Sequence, residues 1–402
     1  MFSFGLAKKS LFIMASKYEN NSAIKNFRDY LKIPSVQPNV NYDECVSFIK
    51  KQAVSLDLPV KLYEVVPKKP IVILTWVGSD PSQPAILLNS HMDVVPVFEN
   101  SWTYPPFSAH MDNDGKIFAR GSQDMKCVGI QYLEAIRNLK AAGIQLKRTL
   151  HISFVPDEEI GGHDGMAKFV HTEQFKALKV GFALDEGIAS PDNEFLIYNG
   201  ERSIWQIHVH CTGQPGHGSL LMDNTAAEKL QYVINKFLGL REEQKKILLT
   251  TPSLTIGDVT TINMTQIYGG VQSNVVPEKL TAVFDIRLAV TEDFDKFEQM
   301  FKTWFKEAGT GVTYEFEQKN PKVDLTLKIY FRNFRNLKCK CCIFPGATDS
   351  RYIRRVGIPA IGFSPINNTP VLLHDHDEFL NADVFIKGIS IYEKIITSIA
   401  NV

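Results

Sequence analysis

The stretch LLNSHMDVVPV, from Leu87 to Val97, closes an apolar run with a histidine and, two residues on, an aspartate. The run begins as PAILLNS at Pro84, and residues apolar on both faces read as a buried strand rather than the alternating strand of a half-solvated sheet. Three further runs share this texture: PIVILTWVG (Pro70 to Gly78), LHISFVP (Leu150 to Pro156) and VGFALDEG (Val180 to Gly187). Between PAILLNS and LHISFVP lies MKCVGIQYLEAIRNLKAAG, apolar at helical spacing until Gly143 stops it. Strand alternating with helix predicts an α/β layer with a mostly parallel sheet flanked by helices.

After Asn199 the texture changes. ERSIWQIHVHCTG alternates, a long amphipathic helix follows from about Asn224 to Lys246, and strands are expected near Ser253 and Thr281. A helix from Glu292 to Glu307 and the strand GVTYEFEQ complete a two-layer α+β insertion, placed at 199–318. The α/β part then resumes with SRYIRRVGIPAIGF and ends in the apolar-striped helix ADVFIKGISIYEKIITSIA. The expected organisation is a discontinuous α/β domain, 1–198 and 319–402, interrupted by this inserted domain.

Composition bounds the function. Lysine plus arginine and aspartate plus glutamate both number 44, so no basic excess suits a phosphate backbone and nucleic acid is not expected as a partner. Six cysteines in 402 residues make no secreted disulfide framework, which fits a reducing cytoplasm. No apolar run reaches the length needed to span a bilayer. The leading MFSFGLAKKSLFIM, with two lysines and no acid, reads as a weak targeting segment or as sequence ahead of a start at Met14.

The strand ends carry the chemistry. LHISFVP runs into Asp157, Glu158 and Glu159, and VGFAL into Asp185 and Glu186. In open α/β sheets ligands bind beyond the carboxyl ends of the strands, so these groups converge with His91. ARGSQDMK adds Asp124 after Gly121, and LLHDHDEF offers His374 and His376. Imidazole and carboxylate donors suit zinc, and a pair of ions needs a bridging carboxylate, for which Asp124 is the candidate. Each such pair taken singly reads as an ordinary solvated strand exit; three together imply a cluster.

In order along the chain, NSHMDVVPV, ARGSQDMK, PDEEIGG, ALDEGIA, GQPGHGS, GATDSRYIRRVGIPAIGFSP and TPVLLHDHDEF resemble the co-catalytic di-zinc metallopeptidase family that includes carboxypeptidases and aminoacylases. The likeness covers the chain from about residue 22 to its end. It implies two zinc ions per subunit, with His91 and Glu186 on one, Glu159 and His374 on the other, and Asp124 between them. His374 is preferred to His376 because it lies four residues before Glu378, as the family's ligand precedes its acidic residue. Three protein ligands per ion leave an open position for a shared hydroxide. Asp93, two residues after His91 on one strand face, is expected to accept the imidazole's other N–H.

The resemblance further implies Glu158 as general base and acid, and His217 as an oxyanion donor that reaches a partner's site in a homodimer formed through the inserted domain. Asn274 matches a substrate contact, and Arg351 and Arg287 are candidates for gripping an α-carboxylate. On residue patterns alone, Asn274 equally makes a turn and Arg287 equally pairs with Asp285 or Glu278. The implied reaction is hydrolysis of N-acyl-L-amino acids; cleavage of dipeptides or carboxy-terminal residues is the alternative. A catalytically impaired relative acting as a binding protein is suggested only by the atypical segment 323–345, where the family has a helix and this chain has basic and aromatic residues with Cys339, Cys341 and Cys342. Those cysteines read as a soft-metal or redox site, or as locally diverged strand.

Overall fold

A computed structural model of the chain describes residue 18 and residues 20–323, 325 and 338–402. The MFSFGLAKKSLFIM stretch and most of segment 323–345 lie outside the described residues. The described residues divide into two compact units, one holding those up to Asn199 together with 338–341 and Thr348–Val402, the other Gly200–Leu325 with Cys342–Ala347.

An eight-stranded sheet carries the first unit. Its spatial order is Val60–Val66, Lys69–Trp76, Leu150–Val155, Ala85–His91, Val180–Asp185, Ala360–Phe363, Phe195–Glu201 and Cys339–Phe344. The four middle strands, from Leu150–Val155 to Ala360–Phe363, run parallel. Lys69–Trp76 joins them antiparallel on one side and Phe195–Glu201 on the other. Every residue of Ala85–His91 and of Leu150–Val155 is buried.

The two-sided burial has a direct cause. Ile86 and Leu88 enter a core shared with Ile130 and Leu133 of helix Lys126–Ala141 and Ile391 and Ile395 of helix Ala382–Ala400. Leu87 points the other way, into a second core with Met166, Phe169 and Ile353. Both faces are roofed, so the strand has no polar side to show. With parallel strands, the ends bearing His91, Asp157 and Glu186 fall on one edge of the sheet.

The second unit is an antiparallel sheet, ordered Thr261–Gly269, Lys279–Leu288, Ser203–Thr212 and Val312–Lys319, with helices Ala226–Thr250 and Phe294–Glu307. Burial along Ser203–Thr212 alternates residue by residue, with Trp205, Ile207, Val209 and Cys211 inward. Trp205 sits edge-on to Phe294, Phe297, Phe301 and Phe316, and its indole N–H donates to the Asn320 carbonyl at 2.9 Å. The strand expected near Ser253 starts later, at Thr261. Thr255 and Asp258 cap each other around a short 3-10 turn there, so their side chains hold the backbone in a turn rather than a ladder.

Candidate active site

His91 ends its strand with Nε2 3.1 Å from Asp124 Oδ1 and 3.8 Å from Glu186 Oε2. Asp124 Oδ2 lies 3.3 Å from His374 Nε2, which is 3.1 Å from Glu159 Oε2. The two oxygens of one carboxylate thus face two separate imidazole–carboxylate pairs. His91, Asp124 and Glu159 each offer a ligand atom within 4.8 Å of the others, and so do His91, Glu158 and Glu186. His376 stands apart, its ring edge-on to Phe98.

The electrostatics of the bare cluster are those of charges held too close. Burial opposes charge on His91, yet the nearby Asp124, Asp93 and Glu186 carboxylates outweigh it and raise the imidazole well above its ordinary value. Burial, then the Asp124 charge, raises Glu186; burial, then the Glu186 charge, raises Glu158. Glu159 is pushed up to about 7 by burial and the Asp124 charge. Burial also works to raise Asp124, but the two imidazoles hold it well below the usual carboxylate range. His374 is raised to about 10 by its contacts with Asp124 and Glu159.

These residues fit divalent cations. His91 Nδ1 lies 2.9 Å from the Asp93 carbonyl, an acceptor only, so Nδ1 keeps its proton and Nε2, facing Asp124 and Glu186, is the nitrogen that gives up a proton to a cation. Glu159 Oε1 is buried with no hydrogen-bond partner. Crowded carboxylates, and a buried orphan oxygen, are relieved by a cation at the centre. Among the described residues, Cys339, Cys341 and Cys342 belong to no such metal-binding group; they lie along the strand Cys339–Phe344.

The surrounding groups hold the cluster in place. Glu378, fully buried, accepts the backbone N–H groups of Gly121, Gln123 and Asp124 at 3.1, 2.6 and 3.3 Å and is paired with Arg120 at 2.8 Å. A carboxylate in this ring of amides pins the loop bearing Asp124. Asp185, on the opposite side from Glu186, accepts from Asn89 and Ser350.

Asp93 corrects the sequence reading. The strand stops at His91, so the two-residue face relation fails: the imidazole donates to the Asp93 carbonyl, and the Asp93 carboxylate is 3.6 Å from Nδ1. That carboxylate accepts the backbone N–H groups of Glu158 and Glu159 at 3.2 and 3.1 Å, fixing the turn on which both stand. Asp157, left-handed at φ 62°, begins this turn. Sequence reasoning did not find Gln37, whose amide lies between Asp93 and Asp157. A lone glutamine in SVQPNV carries no spacing signal.

Arg351 is also placed differently from an open clamp. It is buried, donates to the Thr348 and Gly161 carbonyls at 2.7 and 2.8 Å, and stacks on Tyr352. The other three residues belong to the second unit. His217 lies on a two-stranded ribbon with Val275–Val276, where the Gly218 N–H donates to the Asn274 carbonyl at 2.8 Å, so His217 and Asn274 are exposed neighbours. Arg287 pairs with Asp285 through both carboxylate oxygens, the ordinary sheet pairing.

Residues 87–398 match the model of peptidase family M20/M25/M40. The chain is 50% identical to mouse aminoacylase-1 over 94% of its length and 95% of that protein's. It is 43% identical to aminoacylase-1 of Dictyostelium discoideum, covering 95% and 98%. Among solved structures, the metallo-carboxypeptidase Sso-CP2 of Sulfolobus solfataricus superimposes with a TM-score of 0.71 at 18% identity, over 94% of this chain and 99% of that one. Bacillus subtilis YXEP, a dinuclear metal-binding peptidase, gives 0.68 at 16%, over 94% and 97%. With a parallel sheet whose strand ends gather a histidine–carboxylate cluster, and a family match over most of its length, the chain belongs to peptidase family M20/M25/M40.

Proposed function

We propose that this chain hydrolyses the amide bond of N-acyl-L-amino acids, releasing a carboxylate and a free L-amino acid. The observation that carries this reading is the likeness to aminoacylase-1, 43–50% identical over nearly the whole chain. The proposed metal complement is two zinc ions per subunit. His91 and Glu186 would hold one, Glu159 and His374 the other, with Asp124 contributing one oxygen to each. Bound cations supply Lewis-acid polarisation and acidify water.

The chain's own residues do the rest. Glu158 is buried beside Glu186, and in the metal-free cluster burial and that neighbour's charge favour its neutral form. It is assigned to take a proton from the attacking water and return it to the departing amine. Asp93 keeps Glu158 and Glu159 in register through their backbone amides. His217 is proposed, as the resemblance implies, as a donor to the developing oxyanion in a partner's site, and Asn274 and Arg287 as substrate contacts, Arg287 exchanging its Asp285 pairing for the substrate carboxylate. Arg351 acts in this scheme by holding the Gly161 carbonyl just beyond the catalytic turn.

A homodimer through the inserted domain is part of the proposal. Thr261–Gly269 is an edge strand, and Met264, Ile267 and Tyr268 on it are exposed. Among the described residues no helix is long and apolar enough to cross a membrane. Cys45, Cys127 and Cys211 are buried thiols outside disulfides, which supports a cytoplasmic setting.

The test compares release of methionine from N-acetyl-L-methionine with hydrolysis of simple dipeptides by zinc-loaded protein. Preferential deacetylation is expected. Turnover of dipeptides alone would replace this reading with a dipeptidase.

A further inference from the structure

Gln37 lies 54 residues before His91 in sequence, outside every motif on which the site was recognised. It is 3% exposed. Its amide nitrogen sits 2.8 Å from Asp93 Oδ2 and 3.0 Å from Asp157 Oδ1. The group carries two N–H bonds, so one can point at each carboxylate. The same nitrogen is 3.3 Å from the Tyr42 hydroxyl, which itself donates to Asp157 at 2.7 Å. Gln37 Oε1 is buried with no hydrogen-bond partner.

This lopsided arrangement fixes which way the amide faces. Turned over, its oxygen would stand against two carboxylate oxygens with nothing to donate. The backbone holds it there: Gln37 N–H donates to the Val94 carbonyl and Val94 N–H to the Ser35 carbonyl, so the 35–37 segment is zipped to the chain leaving the His91 strand. The two carboxylates that Gln37 joins have distinct duties. Asp93 receives the backbone amides of Glu158 and Glu159, while Asp157 is the left-handed residue from which that turn starts.

We propose that Gln37 is a positioning residue: its carboxamide ties Asp93 to Asp157 across the base of the 157–159 turn and so fixes the aim of Glu158 and Glu159. The inference rests on the reading of Glu158 as general base. Without the tie, Asp157 keeps Lys69 and the Tyr42 hydroxyl but Asp93 loses its link to it, so nothing joins the two carboxylates and the turn relaxes. Gln37 touches neither substrate nor metal in this scheme, so its loss should lower the chemical rate while leaving substrate affinity nearly as it was.

Gln37→Met keeps the length of the side chain and removes both donors. In the metal-loaded, full-length protein, hydrogen exchange at the Glu158 and Glu159 amides should accelerate about tenfold or more. Compared at metal content equal to wild type, the kcat for N-acetyl-L-methionine should fall about 10–100-fold, with KM within about threefold. Gln37→Asn, which keeps the amide but cannot reach both carboxylates, should loosen the same two amides and serves if the methionine variant does not fold. Unchanged exchange at Glu158 and Glu159 in a folded variant overturns the proposal, whatever the turnover. Wild-type protein inactive on every acetylated amino acid would instead overturn the proposed function, and the exchange measurement would still decide the role of Gln37.

Discussion

Glu158 and Glu159 are adjacent in sequence and are assigned different duties in the proposed function. The 3-10 turn over Glu158–Ile160 splays neighbouring side chains, so Glu159 meets His374 while Glu158 joins His91 and Glu186. Changing Glu158 to Gln should leave metal content intact and reduce kcat about 10²–10⁴-fold, checked by metal analysis beside steady-state kinetics. Glu159 makes a different prediction. In the metal-free protein its carboxyl is pushed up to about 7 and His374 up to about 10, so at pH 6 both carry protons that coordination must expel. Zinc affinity should therefore rise with pH between 6 and 8, about tenfold per unit for each proton released. Calorimetry in two buffers of different ionisation enthalpy counts those protons, and an affinity flat over this range would show that the two groups bind already deprotonated.

The elements show what a single sequence reveals. Leu150–Val155 was legible because both its faces meet apolar cores, and Ser203–Thr212 because one face does, so each wrote its burial directly into its spelling. Val60–Val66 escaped notice: it is a sheet edge whose residues are all exposed or half-buried, and no hydrophobic period marks it. Phe195–Glu201 was missed although largely buried, because Asn199, Gly200 and Glu201 break the apolar run. Helix Phe294–Glu307 lies at the legible end. It sets Phe297, Phe301 and Phe305 at successive four-residue steps against Trp205, Phe237 and Tyr314. Phe301→Ala empties the middle of that stack, and a loss of about 3–5 kcal/mol is expected in denaturant unfolding.

At the scale of the whole chain, the proposed dimer rests on an edge strand with apolar side chains in solvent. Ile267→Asp should convert a dimer to a monomer in sedimentation equilibrium while leaving the helical circular dichroism unchanged, since Ile267 is 56% exposed in the single chain. Which residues gather in space was legible only in outline. Strand ends announced His91, Glu159 and Glu186, because residue type and position coincided there. The groups that hold the cluster, such as Glu378 beneath the Asp124 loop and Gln37 beneath Asp93, are polar residues whose partners lie far along the chain. Nothing local distinguishes them from residues facing water.

That distance has a consequence for biosynthesis. The amides of Gly121, Gln123 and Asp124 await a carboxylate about 255 positions further on, at Glu378. A nascent chain emerging amino end first has four of the five proposed ligands outside the ribosome long before His374, and its Asp124 loop still lacks an anchor. The proposed two-ion site is therefore complete only once His374 and Glu378 have emerged, and a message truncated after the second unit would yield a polypeptide that lacks a proposed ligand and the anchor of the Asp124 loop.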